Sequence, residues 1–356
     1  MVRSVGRGWA GAVELTVEVD SADVRALAYP ALVGTPIEGD TVLLNTTALA
    51  MGLGTGGYAL VVALPDRLPP DPLPGPGHMV KARYTPQQVT VLGVDEQDSE
   101  FHQILADADS LDGMPVVVAD LHSALPAVLA GIHADRPDAR VAYVMTDGGA
   151  LPLWFSRTVA TLRSTGLLVG TVTVGQAFGG DLEAVTLHTG LLAARHVLHA
   201  DVTVVSQGPG NLGTGTRWGF SGVAVGEAVN AVGVLNGRPV GVLRISGADP
   251  RERHRGVSHH SLTAFGRVAL APTDLVVPDP LPSDLSTLVA AQLDALPHRH
   301  RIMPVSTDEL AAALEKLPVR LSSMGRGLDE DRVYFEAAAA AGRRAAALLA
   351  GHTAPS

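Results

Sequence analysis

From residue 116 onward, short apolar runs rich in β-branched side chains alternate with longer stretches of helical composition. The runs at 116–119, 141–145, 167–174, 202–206 and 240–245 lack a polar face, as strands covered on both sides of a sheet do. Helical stretches fill the intervals at 123–133, 151–164, 182–198, 220–235 and 258–270. Strand, helix and strand in repeated succession predict a mostly parallel sheet with crossover helices, hence an α/β fold. Two weaker units follow. An alanine-rich helix over 329–350 closes the chain, with Arg343 and Arg344 on its later turns; alanine's propensity would hold this helix together even at a surface.

The first 64 residues read differently. Apolar and polar residues alternate with period two over 13–19, leaving Glu14, Thr16 and Glu18 on a wet face, and further β-prone runs at 24–33, 41–45 and 58–63 are separated by turn-forming residues. This spacing predicts a small N-terminal β-barrel over residues 1–64. Between Pro65 and Pro76 half the residues are proline, which denies backbone donors to helix or sheet. Residues 65–78 are therefore expected to be a linker, with the α/β domain occupying 79–356.

Composition narrows the function classes. With no cysteine, disulfides, thiolate nucleophiles and cysteine-ligated metal centres are excluded, so a metal would need His, Asp or Glu. The net charge of −10 opposes general nucleic-acid binding, which depends on neutralising phosphates. Neither a signal-type leader nor a run of about 18 apolar residues occurs, so a cytoplasmic protein without a membrane partner is expected. The hydrophobic content of 46% and the alanine-rich helices suggest a homo-oligomer, in the simplest case a dimer.

In open parallel sheets, ligands bind beyond the carboxyl ends of the strands, and four loops fall there. The loop at 208–216 offers Gly208, Gly210, Gly213 and Gly215 for close backbone approach, with the hydroxyls of Thr214 and Thr216 as anion ligands. It matches neither the P-loop nor the dinucleotide fingerprint, and a ligand-free tight turn explains it almost as well. The loop at 247–261 gathers Arg251, Arg253, His254, Arg255, His259 and His260. A ligand phosphate or carboxylate would balance these charges, as would Asp249, Glu252 or acids of neighbouring loops.

Asp147, in the loop 146–149, and Asp181 with Glu183, in the loop 175–183, are acids at strand ends. Asp181 is also a natural N-cap for the helix expected at 182. Asp147, Asp181, Glu183, His259 and His260 would together suit a divalent metal, although this spacing is much less specific than His-Glu-x-x-His. Ser258 reads as a helix N-cap rather than a nucleophile, and His188, His196 and His199 as packed or solvated histidines. The segment Ser323-Met324-Gly325-Arg326-Gly327 reads as a turn before the last helix, or as a flap over the crevice.

The stretches beginning Thr146-Asp147-Gly148-Gly149 and Phe178-Gly179-Gly180-Asp181, the 208–216 loop with Gly219-Phe220-Ser221-Gly222, the run 249–260 and Met324-Gly325-Arg326-Gly327 together resemble a bacterial family of unknown function, numbered 3866. That resemblance implies no activity and no site residues. The residues themselves suggest an α/β module binding a small anionic molecule, a nucleotide or phosphorylated metabolite, as a transferase or hydrolase. Asp147, Asp181, His259 and His260 are its candidate catalytic groups; Gly208, Gly210, Gly213, Thr214, Gly215, Thr216, Arg253, His254 and Arg255 are its candidate ligand contacts. The alternative is a non-catalytic module whose barrel engages a protein or nucleic acid while the α/β domain senses ligand or dimerises. Against the nucleic-acid form of that reading, Arg7 and Arg25 are the only positive charges in residues 5–64.

Overall fold

The computed structural model describes residues 1–71 and 75–349; residues 72–74 of the expected linker and Ala350 of the expected last helix lie outside this range. The first five strands, β1 (Val2–Trp9), β2 (Ala12–Val19), β3 (Ala22–Ala28), β4 (Leu43–Asn45) and β5 (Ala59–Ala63), form one sheet in the order β1-β2-β3-β5-β4. Its outer strands β1 and β4 form no ladder with each other, so no closed sheet is found where the barrel is expected; β1 bonds the segment before β4, Val2 donating to Asp40 at 2.8 Å and accepting from Gly39 at 2.9 Å. After the β1–β2–β3 meander, a short helix at Pro30–Val33 follows β3, and β5 returns parallel to β3 with β4 on its far side. Leu15, Val17, Ala26 and Val61 pack on one face. On the other, Ala12, Leu27 and Tyr29 meet Trp154 and Phe155 from the α/β unit, and Trp9 Nε1 donates to the Trp154 carbonyl at 2.7 Å.

A two-stranded ladder, β6 (Met79–Lys81) with β7 (Val89–Val91), precedes the main sheet. The main sheet comprises β8 (Pro115–Val118), β9 (Val141–Thr146), β10 (Gly170–Val174), β11 (Leu182–Ala184), β12 (Val202–Gln207) and β13 (Arg238–Val242). After a short antiparallel ladder, β14 (Ile245–Ser246) with β15 (Gly256–Val257), it is completed by β16 (Asp274–Asp279) and β17 (Arg301–Ser306). A small hairpin, β18 (Ser322–Ser323) with β19 (Arg326–Gly327), leads into the last helix. The eight strands run β11-β10-β9-β12-β8-β13-β16-β17, every neighbouring pair parallel. Parallel strands need crossovers, and the helices supply them on both faces.

The sheet separates two apolar layers. Helices Leu187–His196, Ala224–Val234 and Ser283–Leu293 cover one face; Leu125–Asp135, Arg157–Ser164 and Arg332–Leu349 cover the other. The last helix is buried rather than superficial, since Ala337 to Ala341, Ala345 and Ala346 have no exposure. Its alanines allow a close crossing with Leu125–Asp135. A Cβ on Gly131 would lie 1.8 Å from the Ala339 carbonyl oxygen, and one on Gly342 would lie 2.0 Å from that of Val128. The alanine richness that suggested self-association is thus used within the chain. No helix among the described residues is long and apolar enough to cross a membrane.

The helix expected at 182–198 begins only at Leu187, capped by Thr186. Residues 182–184 instead form β11, so Asp181 is not an N-cap. Its carboxylate accepts from the Thr171 amide and hydroxyl, both at 2.8 Å, and Glu183 bonds Thr173 at 2.7 Å. These side-chain pairs between neighbouring strands hold an acid-bearing segment as an edge strand, overriding the helix-start signal.

Gly131→Ala tests the helix crossing. Helix propensity favours alanine by roughly 1 kcal/mol, but overpacking against a backbone carbonyl costs about 1–3 kcal/mol or more. A net loss of stability is expected in urea unfolding, whereas a stabilised variant would show that the helices are not held at this separation.

Candidate functional site

In the sheet order, β8 continues through its helix toward β9, whereas β12 continues toward β13 on the opposite side. The loops after β8 and β12, adjacent strands, therefore diverge and open a crevice at this switch point. A cleft of about 630 Å³ occupies it. The α/β unit contributes Leu121, His122 and Ser123 after β8, Ser156 and Arg157 after β9, and Gln207 to Asn211 after β12. The N-terminal sheet closes one side with Trp9, Arg25 and Tyr58, and the β18–β19 hairpin adds Ser322, Ser323 and Met324.

Two of these residues form a hydrogen-bonded pair. His122 Nε2 lies 2.8 Å from Ser156 Oγ, while Nδ1 lies 3.1 Å from the Tyr143 hydroxyl. Ser156, 4% exposed, caps the helix Arg157–Ser164 by accepting from the Val159 amide at 3.1 Å. Burial pushes the His122 imidazole down to about 4, so it is neutral near pH 7. The sequence reading passed over this pair, because Ser156 and His122 are 34 positions apart and neither lies in a recognisable motif.

Beside the cleft lies a second polar cluster, built mainly on the loop after β13. β13 neighbours β8, which brings this loop to Asp120. His254, His259 and His260 present nitrogen atoms all within 4.8 Å of one another, and His260 Nδ1 lies 4.0 Å from Asp120 Oδ2. Phe220 stacks flat on His260 at 3.9 Å between ring centroids. His254 Nδ1 bonds Ser258 Oγ at 2.7 Å, and Ser258 caps the helix His259–Thr263 as expected. Asp249 anchors the loop: Arg251 and Arg326 reach it at 2.8 and 3.2 Å, and the buried Arg244 at 3.4 Å. Hydrogen bonding from Arg251, followed by the neighbouring charges, holds the Asp249 carboxyl well below the usual range. Burial first, and neighbouring positive groups second, push His254 and His260 down to about 3, while burial pushes the Asp120 carboxyl up.

The expected residues divide accordingly. His254, His259 and His260 come together, and Phe220 connects them to the end of the glycine-rich loop. Gly208 and Gly210 line the cleft. Gly213, Thr214, Gly215 and Thr216 form a self-bonded turn: Gly213 bridges to Phe220, and the Thr214 and Thr216 hydroxyls bond each other at 3.1 Å. Arg253 and Arg255 are exposed, Arg255 standing 3.9 Å from Asp284. Asp147 accepts from the Gly149, Ala150 and Gln176 amides, ordering its own turn. Asp181 pairs with Arg163 at 3.0 Å and Glu183 with Lys81 at 2.8 Å. No hydrogen bond or ion pair among the described residues joins Asp147, Asp181 or Glu183 to His259 or His260. The acids expected from sequence as metal donors thus have partners elsewhere, and the carboxylate nearest His260 is that of Asp120, because β8 is the neighbour of β13. The 323–327 segment does reach the cleft, through Ser323 and Met324, while Arg326 bonds both Asp249 and Asp331.

Lys81 was not singled out in sequence, yet it is fully buried and donates to the Thr173 and Ala177 carbonyls besides Glu183. Lys81→Met leaves Glu183 without its counter-charge, and removing one partner of a buried pair costs about 3–5 kcal/mol. A urea midpoint equal to wild type would contradict this placement.

The histidines also set a pH dependence. Their folded values lie below the unfolded value of about 6.5, so protons bind the unfolded chain more tightly and the stability they contribute is complete only above that pH. It declines as pH falls toward 4 and then 3. For His122 the loss at pH 5 is about 1–2 kcal/mol, and His122→Gln is expected to flatten that part of the unfolding curve. A wild-type stability that does not fall between pH 7 and pH 5 would show that these imidazoles are not desolvated.

No curated protein and no solved structure matches this chain. One family model, described as a protein of unknown function (DUF3866), matches residues 25–342. That span runs from β3 into the last helix and takes in the arginine-histidine loop and the glycine-rich loop, in agreement with the resemblance read from their residues. The chain belongs to the DUF3866 family.

Proposed function

We propose that the chain binds a small anionic ligand of the nucleotide or phosphorylated-metabolite class in the switch-point cleft, and acts on it as a transferase or hydrolase. One observation carries this reading: the cleft is lined by Arg25, Arg157 and Arg320 and by no carboxylate, in a chain with 36 acidic and 26 basic residues. Glu14 stands behind two of these arginines, 3.5 Å from Arg25 and 3.9 Å from Arg157. Arg320 is exposed and has no ion pair among the described residues. Guanidinium groups unpaired or shared in this way are suited to phosphate oxygens.

The other walls fit the same ligand class. Trp9, Tyr58 and Phe155 offer flat apolar surfaces to a ring, and Gly208 and Gly210 let a backbone approach closely. A volume of about 630 Å³ suits a molecule of nucleotide size. The Ser156 hydroxyl, hydrogen-bonded to a neutral His122, adds an uncharged polar pair to the wall. Participation of Trp9 and Tyr58 in the cleft supports a single shared site over a free-standing docking role for the N-terminal sheet.

Titration calorimetry and thermal unfolding with nucleoside diphosphates, nucleoside triphosphates and inorganic phosphate test the reading. Binding is expected to raise the melting temperature. Arg157→Ala and Arg320→Ala should each weaken it by about tenfold or more, the worth of one charge-assisted hydrogen bond. If no phosphorylated compound shifts the melting temperature, or if both variants bind like wild type, the reading fails.

A further inference from the structure

We propose that His254, His259 and His260, with Asp120 as fourth donor, form a binding site for one divalent first-row transition metal ion of the zinc type. This site stands apart from the cleft reading and does not depend on it.

Three observations support the donor set. The first is unsatisfied polarity: His259 Nε2, His260 Nδ1 and Asp120 Oδ2 are all buried without a hydrogen-bond partner. His260 and Asp120 are only 8% and 6% exposed, and orphaned buried polar atoms cost free energy that a shared cation would recover. The second is preorganisation. Ser258 engages His254 Nδ1 and leaves Nε2 for a ligand, the outer-shell arrangement that fixes tautomer and orientation at metal sites. Phe220 holds the His260 ring flat from the other side. The third is chemistry: three imidazoles with one carboxylate suit zinc and its neighbours better than calcium or magnesium, which prefer all-oxygen shells.

Donors on a tetrahedral ion lie roughly 3.4 Å apart, so the three imidazoles, whose nitrogens lie within 4.8 Å of one another, and Asp120, 4.0 Å from His260, draw together when an ion binds. Arg244, Arg251 and Arg253 add positive charge near the histidines, and Asp249 balances part of it. The remaining positive charge favours an ion that takes an anion or hydroxide as a fifth ligand. Asp120 and His122, two positions apart, place this centre next to the cleft, and the cleft residue Gln207 joins the two by donating to the Asp120 carbonyl at 2.7 Å.

The test uses the full chain without a polyhistidine tag, loaded with zinc or cobalt(II), dialysed, and analysed by elemental mass spectrometry and visible absorption. About one metal per chain is expected, with cobalt ligand-field bands of a four- or five-coordinate site. His259→Ala/His260→Ala should lower retained metal about tenfold or more, and Asp120→Asn should weaken binding about tenfold. His188→Ala and His199→Ala should retain wild-type stoichiometry. Circular dichroism checks folding; should the double variant not fold, the partly exposed His259→Ala alone is decisive. Failure of the wild type to retain metal, or equal retention by the histidine variants, overturns the proposal. Metal uptake without nucleotide binding leaves this site standing and removes the cleft reading; the converse result removes this site alone.

Discussion

The position of β12 between β8 and β9 governs where the chemistry can lie. Because all eight strands run parallel, every loop at their carboxyl ends opens on the same rim, and only where two neighbouring connections part company does the rim become a hollow. The connections from β8 and β12 part in this way. Two residues beyond the end of β8, Asp120 lies 4.0 Å from His260, and two residues further His122 lines the cleft. Neither position has any functional meaning in an extended chain.

Holding the rim open requires firm layers beneath it. The last helix crosses Leu125–Asp135 so closely that two glycines meet opposing carbonyls, which fixes the helix leading away from β8 and with it the Asp120–Ser123 turn. On the opposite flank, the N-terminal sheet buries Leu27 and Tyr29 against Trp154. That contact places Trp9 and Tyr58 on the wall of the cleft. The sheet thus completes the hollow, and the arginines facing it come from elements distant in sequence: β3, the helix after β9, and the segment before β18.

Charge organisation reinforces this geometry. Asp249 collects three guanidinium groups from the β13 loop and the β18–β19 hairpin, tying the closing segment of the chain to the rim. At the far edge of the sheet, Lys81 and Glu183 form a buried pair with each other and with backbone carbonyls and hydroxyls. Such pairs are costly to desolvate but specific in geometry. Here the pair joins the β6–β7 ladder to edge strand β11, and this role engages Glu183, an acid that a linear reading offers as a metal donor.

Local pattern alone determined the α/β class, the parallel sheet, the Ser258 cap and the loop that carries His254, His259 and His260, because apolar periodicity and loop position are encoded by neighbours along the chain. It misplaced the acids. Asp181 and Glu183 imitate a helix start, and their pairing with Thr171, Thr173 and Lys81 depends on strands that the periodicity does not order. The N-terminal strands were legible, but their closure was not, since an open or closed sheet differs only in which edges meet. Asp120, the His122–Ser156 pair and the acid-free lining of the cleft emerge only from tertiary structure: strand order, a long-range property of packing, decides which loop ends become neighbours.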